Sequence, residues 1–447
     1  MTQKTSLPLS VRVFFKFSLL LIFAASILTL SSLSCSNNPA DNDKDPNVSD
    51  SAAIADSLDI LEAVAAGFIP IYTFQELCEI GKADDLPLDG RYMLMNDIDA
   101  SPSRSLNNRR GFEPIGMRTY QENGVYSDNR NFTGEFDGRG RTIKNLYISR
   151  SDSAIVGMFG VISKGAKIRR LHIEADSIIG RTDVGGIVGR AENALIDSCS
   201  FKGDVKGRYW VGGIAGTAVT STITRCISNG TVFSDTILVF GGAAGGLVGE
   251  LNSSLMERSY SAADITGYYN VGGLAGHNYK SEITLSYAAG SVNGVRDSYI
   301  GGLAGNVYDG IVNQCYSTGK IIWVSSGKAE AGGLIGRVSR HSTVTDSYWD
   351  TSSSQISVSW GTVSIDTAIM VGGEPKDTTI TVDGEPRDTT ITVGGELRDT
   401  TIIIRGEIGI DTPRMMQQKT YVGWDFNTIW NIDEGKSTPY FMWHEKL

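Results

Sequence analysis

Between Val156 and Ile335 the apolar residues fall into short clusters separated by polar turns: a Gly-Gly-Leu-Ala-Gly type segment, a lone Ile or Val, then a final Val or Ile. No stretch there places apolar residues at helical spacing, so short strands are expected. The clusters recur. VGMFG closes at Gly160, GGIVG at Gly189, GGIAG at Gly216, GGLVG at Gly249, GGLAG at Gly276 and Gly305, and GGLIG at Gly336, with closing glycines 29, 27, 33, 27, 29 and 31 residues apart. Ten residues after the second to sixth of these stands a small residue (Cys199, Cys226, Ser259, Ser286, Cys315), and six further on a β-branched one (Val205, Val232, Ile265, Val292, Ile321). Ser347 follows the seventh at eleven.

A repeat of this length cannot bury both faces of so short a strand alone, but stacked repeats can, each pairing with the next at about 4.8 Å. Helical solenoids do not fit, since an interior Gly costs about 1 kcal/mol against Ala. The expected fold is all-β, a right-handed parallel β-helix with one repeat per coil and a short N-terminal helix. Corners then need φ > 0 or close backbone approach, which Gly supplies. The Cys/Ser column reads as a ladder of small core residues. Cys199 and Cys226 occupy equivalent positions in adjacent coils, where parallel Cβ vectors suit a disulfide poorly, so free stacked thiols are expected.

Outside the repeats, Lys4, Arg12 and Lys16 precede an apolar run from Phe17 to Leu30, the order of a secretory signal. Ser32-Leu33-Ser34-Cys35 resembles a bacterial lipoprotein box, with Ser32 where that family prefers Leu. The resemblance implies acylation of Cys35 and attachment to a membrane; a plain signal peptide is the alternative. The boundaries expected are a signal over 1–34, an acidic tether over 35–68, a cap with the first coils over 69–150, the repeat solenoid over 151–351, an insertion over 352–410 and a closing segment over 411–447. Thr73 and Glu76 form a capping-box pair ahead of a short helix ending near Gly81. Residues 366–409 divide into four elevens, each alternating Thr with Ile or Val and then turning at Gly, readable as hairpins or as extra coils.

Composition narrows the chemistry. Glycine takes 52 of 447 positions, and the formal charge of −10 argues against a nucleic-acid partner. Five cysteines in so long a chain are not a disulfide scaffold. Asp41, Asp43 and Asp45 resemble the start of a calcium loop, but Pro46 and Ala52 stand where Gly and Glu are needed. No metal or cofactor is expected.

Gly-Gly-Leu-Ala-Gly followed by Cys315-Tyr-Ser-x-Gly-x-Ile321 resembles the GLUG motif of secreted bacterial surface proteins, also found in the non-catalytic N-terminal part of some IgA-cleaving metallopeptidases. Met95 to Asp99, Glu113 to Gly116 and Phe132 to Gly138 are similar to that family's opening, and Ser347 to Asp350, Gly423 to Phe426, Trp430 and Pro439-Tyr440 to its close. The likeness implies a β-helical extracellular region, often part of an adhesin, and no chemistry.

The catalytic motifs that the sequence approaches are incomplete. Of His172, His277, His341 and His444, only His444 precedes a Glu, and no second His stands at the metallopeptidase spacing. Gly435-Lys436-Ser437 has Trp430 where a phosphate loop needs Gly. Asp137 among Arg139 and Arg141 fits a turn better than a glycosidase acid. Aromatics are the better lead. Tyr260, Tyr287, Tyr316 and Tyr348 follow the small column, so alternation turns them outward as a platform for sugar rings or protein, whereas a bend that reverses the parity makes them a core stack. Tyr209, Trp210, Tyr268, Tyr269 and Tyr299 precede Gly-Gly pairs and group on one loop edge, as corner packing or ligand contacts. The reading is a non-catalytic, lipid-anchored outer-membrane protein at the cell surface that adheres to a host or environmental glycan or surface protein. The alternative is a carbohydrate-active β-helix enzyme.

Overall fold

The computed structural model describes residues 58–118, 130–235, 242–295, 298–323, 330–339, 341–356 and 409–443, and the backbone of short strands between 360 and 408. Cys35, the signal, most of the tether and His444 lie outside them.

The chain winds as a parallel β-solenoid. One coil runs from Asn270–Gly272 through Ala275–Tyr279, Glu282–Thr284 and Tyr287–Ala288 to Val292–Gly294. Each strand pairs in parallel with its counterpart one coil on: Val271 with Ile300, Ala275 with Ala304, Ile283 with Val312, Tyr287 with Tyr316 and Val292 with Ile321. The doublet strands form a seven-stranded sheet and the strands after them a nine-stranded one, while a 24-stranded sheet carries the rest. Inside runs one apolar stack, in which Val184, Val211, Ala244, Val271 and Ile300 are at most 1 % exposed.

The glycines act by closeness rather than by backbone handedness. None of the glycines in the seven repeat segments has positive φ. A Cβ on Gly186, Gly213, Gly246, Gly273 or Gly302 would instead fall within 3.0 Å of the carbonyl oxygen of the second glycine one coil on. The left-handed corners are occupied by other residues, which corrects the assignment of corners to Gly. One column holds Thr220 (φ 46°), Ser253 (51°), Lys280 (50°) and Asp309 (55°), and another Arg225 (51°), Arg258 (49°), Leu285 (49°) and Gln314 (51°).

Five of these eight corners are followed by an inward Ser whose hydroxyl closes the gap between coils, while Gly310, Cys226 and Cys315 follow the other three. Ser259 Oγ accepts the Cys226 N–H at 3.0 Å and donates to the Glu257 carbonyl at 2.8 Å; Ser286 does the same for Ser259 at 3.1 Å and Thr284 at 2.7 Å. A parallel ladder runs through Ser221, Ser254 and Ser281. Cys199, Cys226 and Cys315 are buried free thiols. Their burial raises the pKa of each of Cys199 and Cys315, the latter to about 12.

At the N-terminal end the expected capping box forms: Thr73 accepts the Glu76 N–H at 3.2 Å, and Glu76 accepts the Thr73 N–H at 3.1 Å, ahead of the helix Phe74–Glu79. The eleven-residue array does both things that its sequence allows. Thr379–Val382 pairs antiparallel with Glu385–Pro386, and Thr401–Arg405 extends the solenoid by pairing in parallel with Thr343–Thr345.

Two substitutions separate these roles. Gly273→Ala forces a methyl against the next coil and is expected to lower stability by about 1–3 kcal/mol. Thr220→Gly relieves a left-handed β-branched residue and is expected to raise it by roughly 0.5–1 kcal/mol. Chemical denaturation of both variants measures the difference in sign.

Candidate functional site

Strand alternation places the Tyr column as the sequence implies, out of the main core, with Tyr260, Tyr287 and Tyr316 stacked at 4.7 Å spacing and interplanar angles of 1° and 5°. The expectation of a solvent-facing platform is nevertheless corrected. Tyr260, Tyr287, Tyr316 and Tyr348 are 9, 8, 1 and 4 % exposed, packed in a second apolar cluster with Met415, Tyr421, Trp424, Trp430 and Phe441. The closing segment folds back along the outside of the solenoid. Phe441 lies against Tyr287 at 5.5 Å, Trp430 against Tyr316 at 6.2 Å and Tyr421 against Tyr348 at 5.2 Å. Polar contacts pin it: Tyr316 OH donates to the Pro439 carbonyl, Gln314 Nε2 to the Gly423 carbonyl at 3.0 Å and Trp424 Nε1 to the Asp346 carbonyl at 3.3 Å. Burial raises the Tyr260 phenol to about 12.

The edge aromatics stay half-buried. Tyr209 lies 6.1 Å from Trp210, and Tyr269 meets Tyr299 edge-on at 5.6 Å, with the Arg337 guanidinium 5.1 Å over the Tyr299 ring. Tyr268 is half-buried beside them. A further pair escapes sequence reasoning: Tyr279 and Tyr308 stack at 5.3 Å, with the Lys280 ammonium 5.2 Å from Tyr279. Their signal is a Tyr three residues after each of the closing glycines Gly276 and Gly305.

Between the doublet sheet and the sheet that follows it the outward columns converge in a polar seam. The close glycine contacts draw the two sheets together, so side chains that alternation turns outward are desolvated. Asp183 accepts from Thr217 Oγ1 at 3.1 Å and from Arg190 Nη1 at 3.3 Å, and Arg190 also donates to Glu192 at 2.7 Å. Further along, Glu250 and His277 are 3.8 Å apart. Burial raises Asp183 to about 6 despite Arg190 and Thr217, and raises Glu250 to about 7. It lowers His277 to about 4, helped by Arg337. Glu250 and His277 therefore meet near pH 6 as a neutral acid and a neutral imidazole, so their contact is no ion pair.

The early-coil acid has a structural role. Asp137 accepts the Arg139 N–H at 2.8 Å, forming a turn, and binds the Arg170 guanidinium through both oxygens, one bond being 3.0 Å. Among the described residues no group of three His, Cys, Asp or Glu side chains could hold a metal ion.

The family model described as the GLUG motif matches residues 180–206, 267–293 and 297–322. The chain carries the GLUG motif in three of its coils. Each match begins just ahead of a doublet strand or its preceding loop, so the GLUG unit is one solenoid coil. Halomucin of Haloquadratum walsbyi is 38 % identical over 106 residues, 23 % of this chain and 1 % of halomucin. The match thus spans a very small part of that relative. A crystal structure of a candidate immunoglobulin A1 protease from Bacteroides ovatus aligns with a TM-score of 0.44 at 16 % identity, over 84 % of this chain and 92 % of that one.

Removing the largest anchor of the closing segment, Trp430→Ala, is expected to cost about 3–5 kcal/mol by cavity formation, and to expose the Tyr stack to acrylamide quenching. In the seam, Glu250 binds more protons folded than unfolded between its ordinary value of 4.5 and about 7, so its contribution to stability is present at low pH and is lost as pH rises through that window. His277 acts oppositely between about 4 and 6.5. Denaturation of Glu250→Gln from pH 4.5 to 7.5 should show the carboxylate's decline removed and the variant relatively more stable at the upper end.

Proposed function

We infer that this GLUG solenoid is an exported, lipid-anchored protein of the cell envelope that acts outside the cell as a non-catalytic adhesive and structural module. The observation that carries the reading is a set of partly exposed aromatic pairs along the solenoid: Tyr209 with Trp210 within one coil, and Tyr269 with Tyr299 and Tyr279 with Tyr308 across one pair of adjacent coils. Coils repeat at about 4.8 Å, so these pairs offer several weak contacts at different heights of one rod, and their affinities combine as effective concentration. Likeness to a protein named halomucin supports a place at the cell surface. Acyl chains on Cys35, beyond the described residues, would tie the acidic tether to a membrane; stable anchoring needs two or more chains.

A second reading, a carbohydrate-active enzyme, draws on Asp183 and Glu250, whose raised pKa values suit general acids. The two readings part on one preparation. The full chain should retain glycan- or protein-coated beads without producing new reducing or unsaturated ends from acidic polysaccharides. Product formation abolished by Glu250→Gln would overturn the module reading. Cys35→Ala is expected to move the chain from the membrane fraction to the soluble fraction of an expressing Gram-negative cell; unchanged fractionation would remove the anchor.

A further inference from the structure

The turn at Asp137 borders a cleft. A helix over 58–65 lies across the first coils and leaves beside them an open cavity of about 300 Å³, at the lower end of the range for ligand pockets. Ala63 and Ala66 give it an apolar side, and Phe68, one face of which carries the Arg91 guanidinium at 4.1 Å, closes its end. Opposite stand three guanidinium groups, those of Arg139, Arg169 and Arg170, which two adjacent coils bring together.

These cations are only partly engaged. Arg169 donates through Nη2 to Glu135, which also accepts from Arg91 Nε at 3.1 Å. Arg170 donates through Nε and Nη2 to Asp137. Both keep Nη1 outside these pairs, on side chains that are 34 % exposed for Arg169 and 54 % for Arg170 and so open to a ligand. Arg169 Nε has no hydrogen-bond partner either. Arg139 is 9 % exposed, and its guanidinium stands 3.6 Å from the carboxylate of Asp59, which is 65 % exposed. An ion pair so open to water on one side holds weakly.

The acids of the lining narrow what fits. Asp137 is occupied by the Arg139 N–H and by Arg170, which leaves Asp59 and Glu62 on the exposed helix. The guanidinium wall suits one carboxylate, bound through parallel N–H donors. A densely sulfated polyanion would be repelled by the two helix acids, while a neutral ring would leave both Nη1 groups unused. An ammonium group needs several desolvated acceptors, and Glu62 stands in water. A sugar ring with a single carboxylate offers the anion to the arginines, hydroxyl donors to Glu62 and a C–H face to the alanines.

We propose that this cleft binds one hexuronate residue, its carboxylate accepting from Arg169 and Arg170, its hydroxyls donating to Glu62 and its C–H face resting on Ala63 and Ala66. The proposal rests on the binding-module reading and names its ligand class, an acidic glycan. Recognition then lies at the N-terminal end of the solenoid, several coils from the covered Tyr column.

Calorimetric titration of the full chain with the methyl glycosides of glucuronate, galacturonate and mannuronate, and with methyl glucoside as the neutral control, tests this. At least one uronide is expected to bind, tenfold or more tighter than the glucoside. Arg169→Gln, which leaves Glu135 its partner Arg91, should weaken that uronide tenfold or more. Asp59→Asn, which removes the acid competing for Arg139, should tighten it severalfold; it changes an exposed side chain and serves if Arg169→Gln fails to fold. No binding of any uronide, or unchanged affinity in the folded variants, overturns the site. Acetate binding as tightly as the uronides would show a bare carboxylate contact and overturn it too, as would free amino acids binding in their place. Bead adhesion by a chain that binds no uronide would sink this site and leave the module reading standing. Uronide binding without adhesion would do the reverse.

Discussion

The distance between successive coils is set where the α-carbon of one glycine rests on the carbonyl of its counterpart in the next. At Gly186, Gly213, Gly246, Gly273 and Gly302 there is no room for a single added methyl, and all five contacts repeat the same geometry. The first glycines of the doublets do the corresponding work between sheets: a Cβ on Gly185, Gly212, Gly245, Gly272 or Gly301 would press on the carbonyl oxygen of Val188, Ala215, Val248, Ala275 or Ala304 at the start of the following strand, so the doublet sheet lies close to the sheet that follows it. That nearness is what turns two outward columns into a desolvated seam. The altered protonation of Asp183, Glu250 and His277 follows from it, because each loses water without gaining enough compensating charge.

The remaining corners solve a different problem. A left-handed residue turns the chain sharply and directs the next N–H toward the neighbouring coil, where no strand oxygen is available. The Ser ladders supply one, each hydroxyl accepting from one coil and donating within its own. Where Cys stands in place of Ser, sulfur makes longer contacts to carbonyls, as from Cys226 Sγ to the Thr224 carbonyl at 3.3 Å. Ser and Cys alternate freely in the column because both are small enough for the bend.

The Tyr stack shows how a correct local inference can miss the larger arrangement. Period-two alternation is a local property of a strand, and it sends Tyr287 outward once Ser286 points in. Whether outward means wet depends on what else lies there. Residues more than a hundred positions away, among them Trp430 and Phe441, close over the column because a row of four phenol rings offers a large apolar strip that water solvates poorly.

The chain's own pattern was enough to establish the solenoid, its coil boundaries, the inward Cys/Ser column and the Thr73 capping box, since each depends on spacing within a few residues or on a repeated period. It also contained the pieces of the closing segment, although nothing in their order said where they would dock. Tertiary structure alone decided that the Tyr column is covered, that Thr220 and Leu285 rather than glycines take the left-handed corners, and that Asp183, Glu250 and His277 share one seam. Those residues sit in different coils and carry no common motif. They meet because stacking aligns positions at the same phase of the repeat, and because the glycine contacts close the angle between two sheets, a distance that no spacing along the chain encodes.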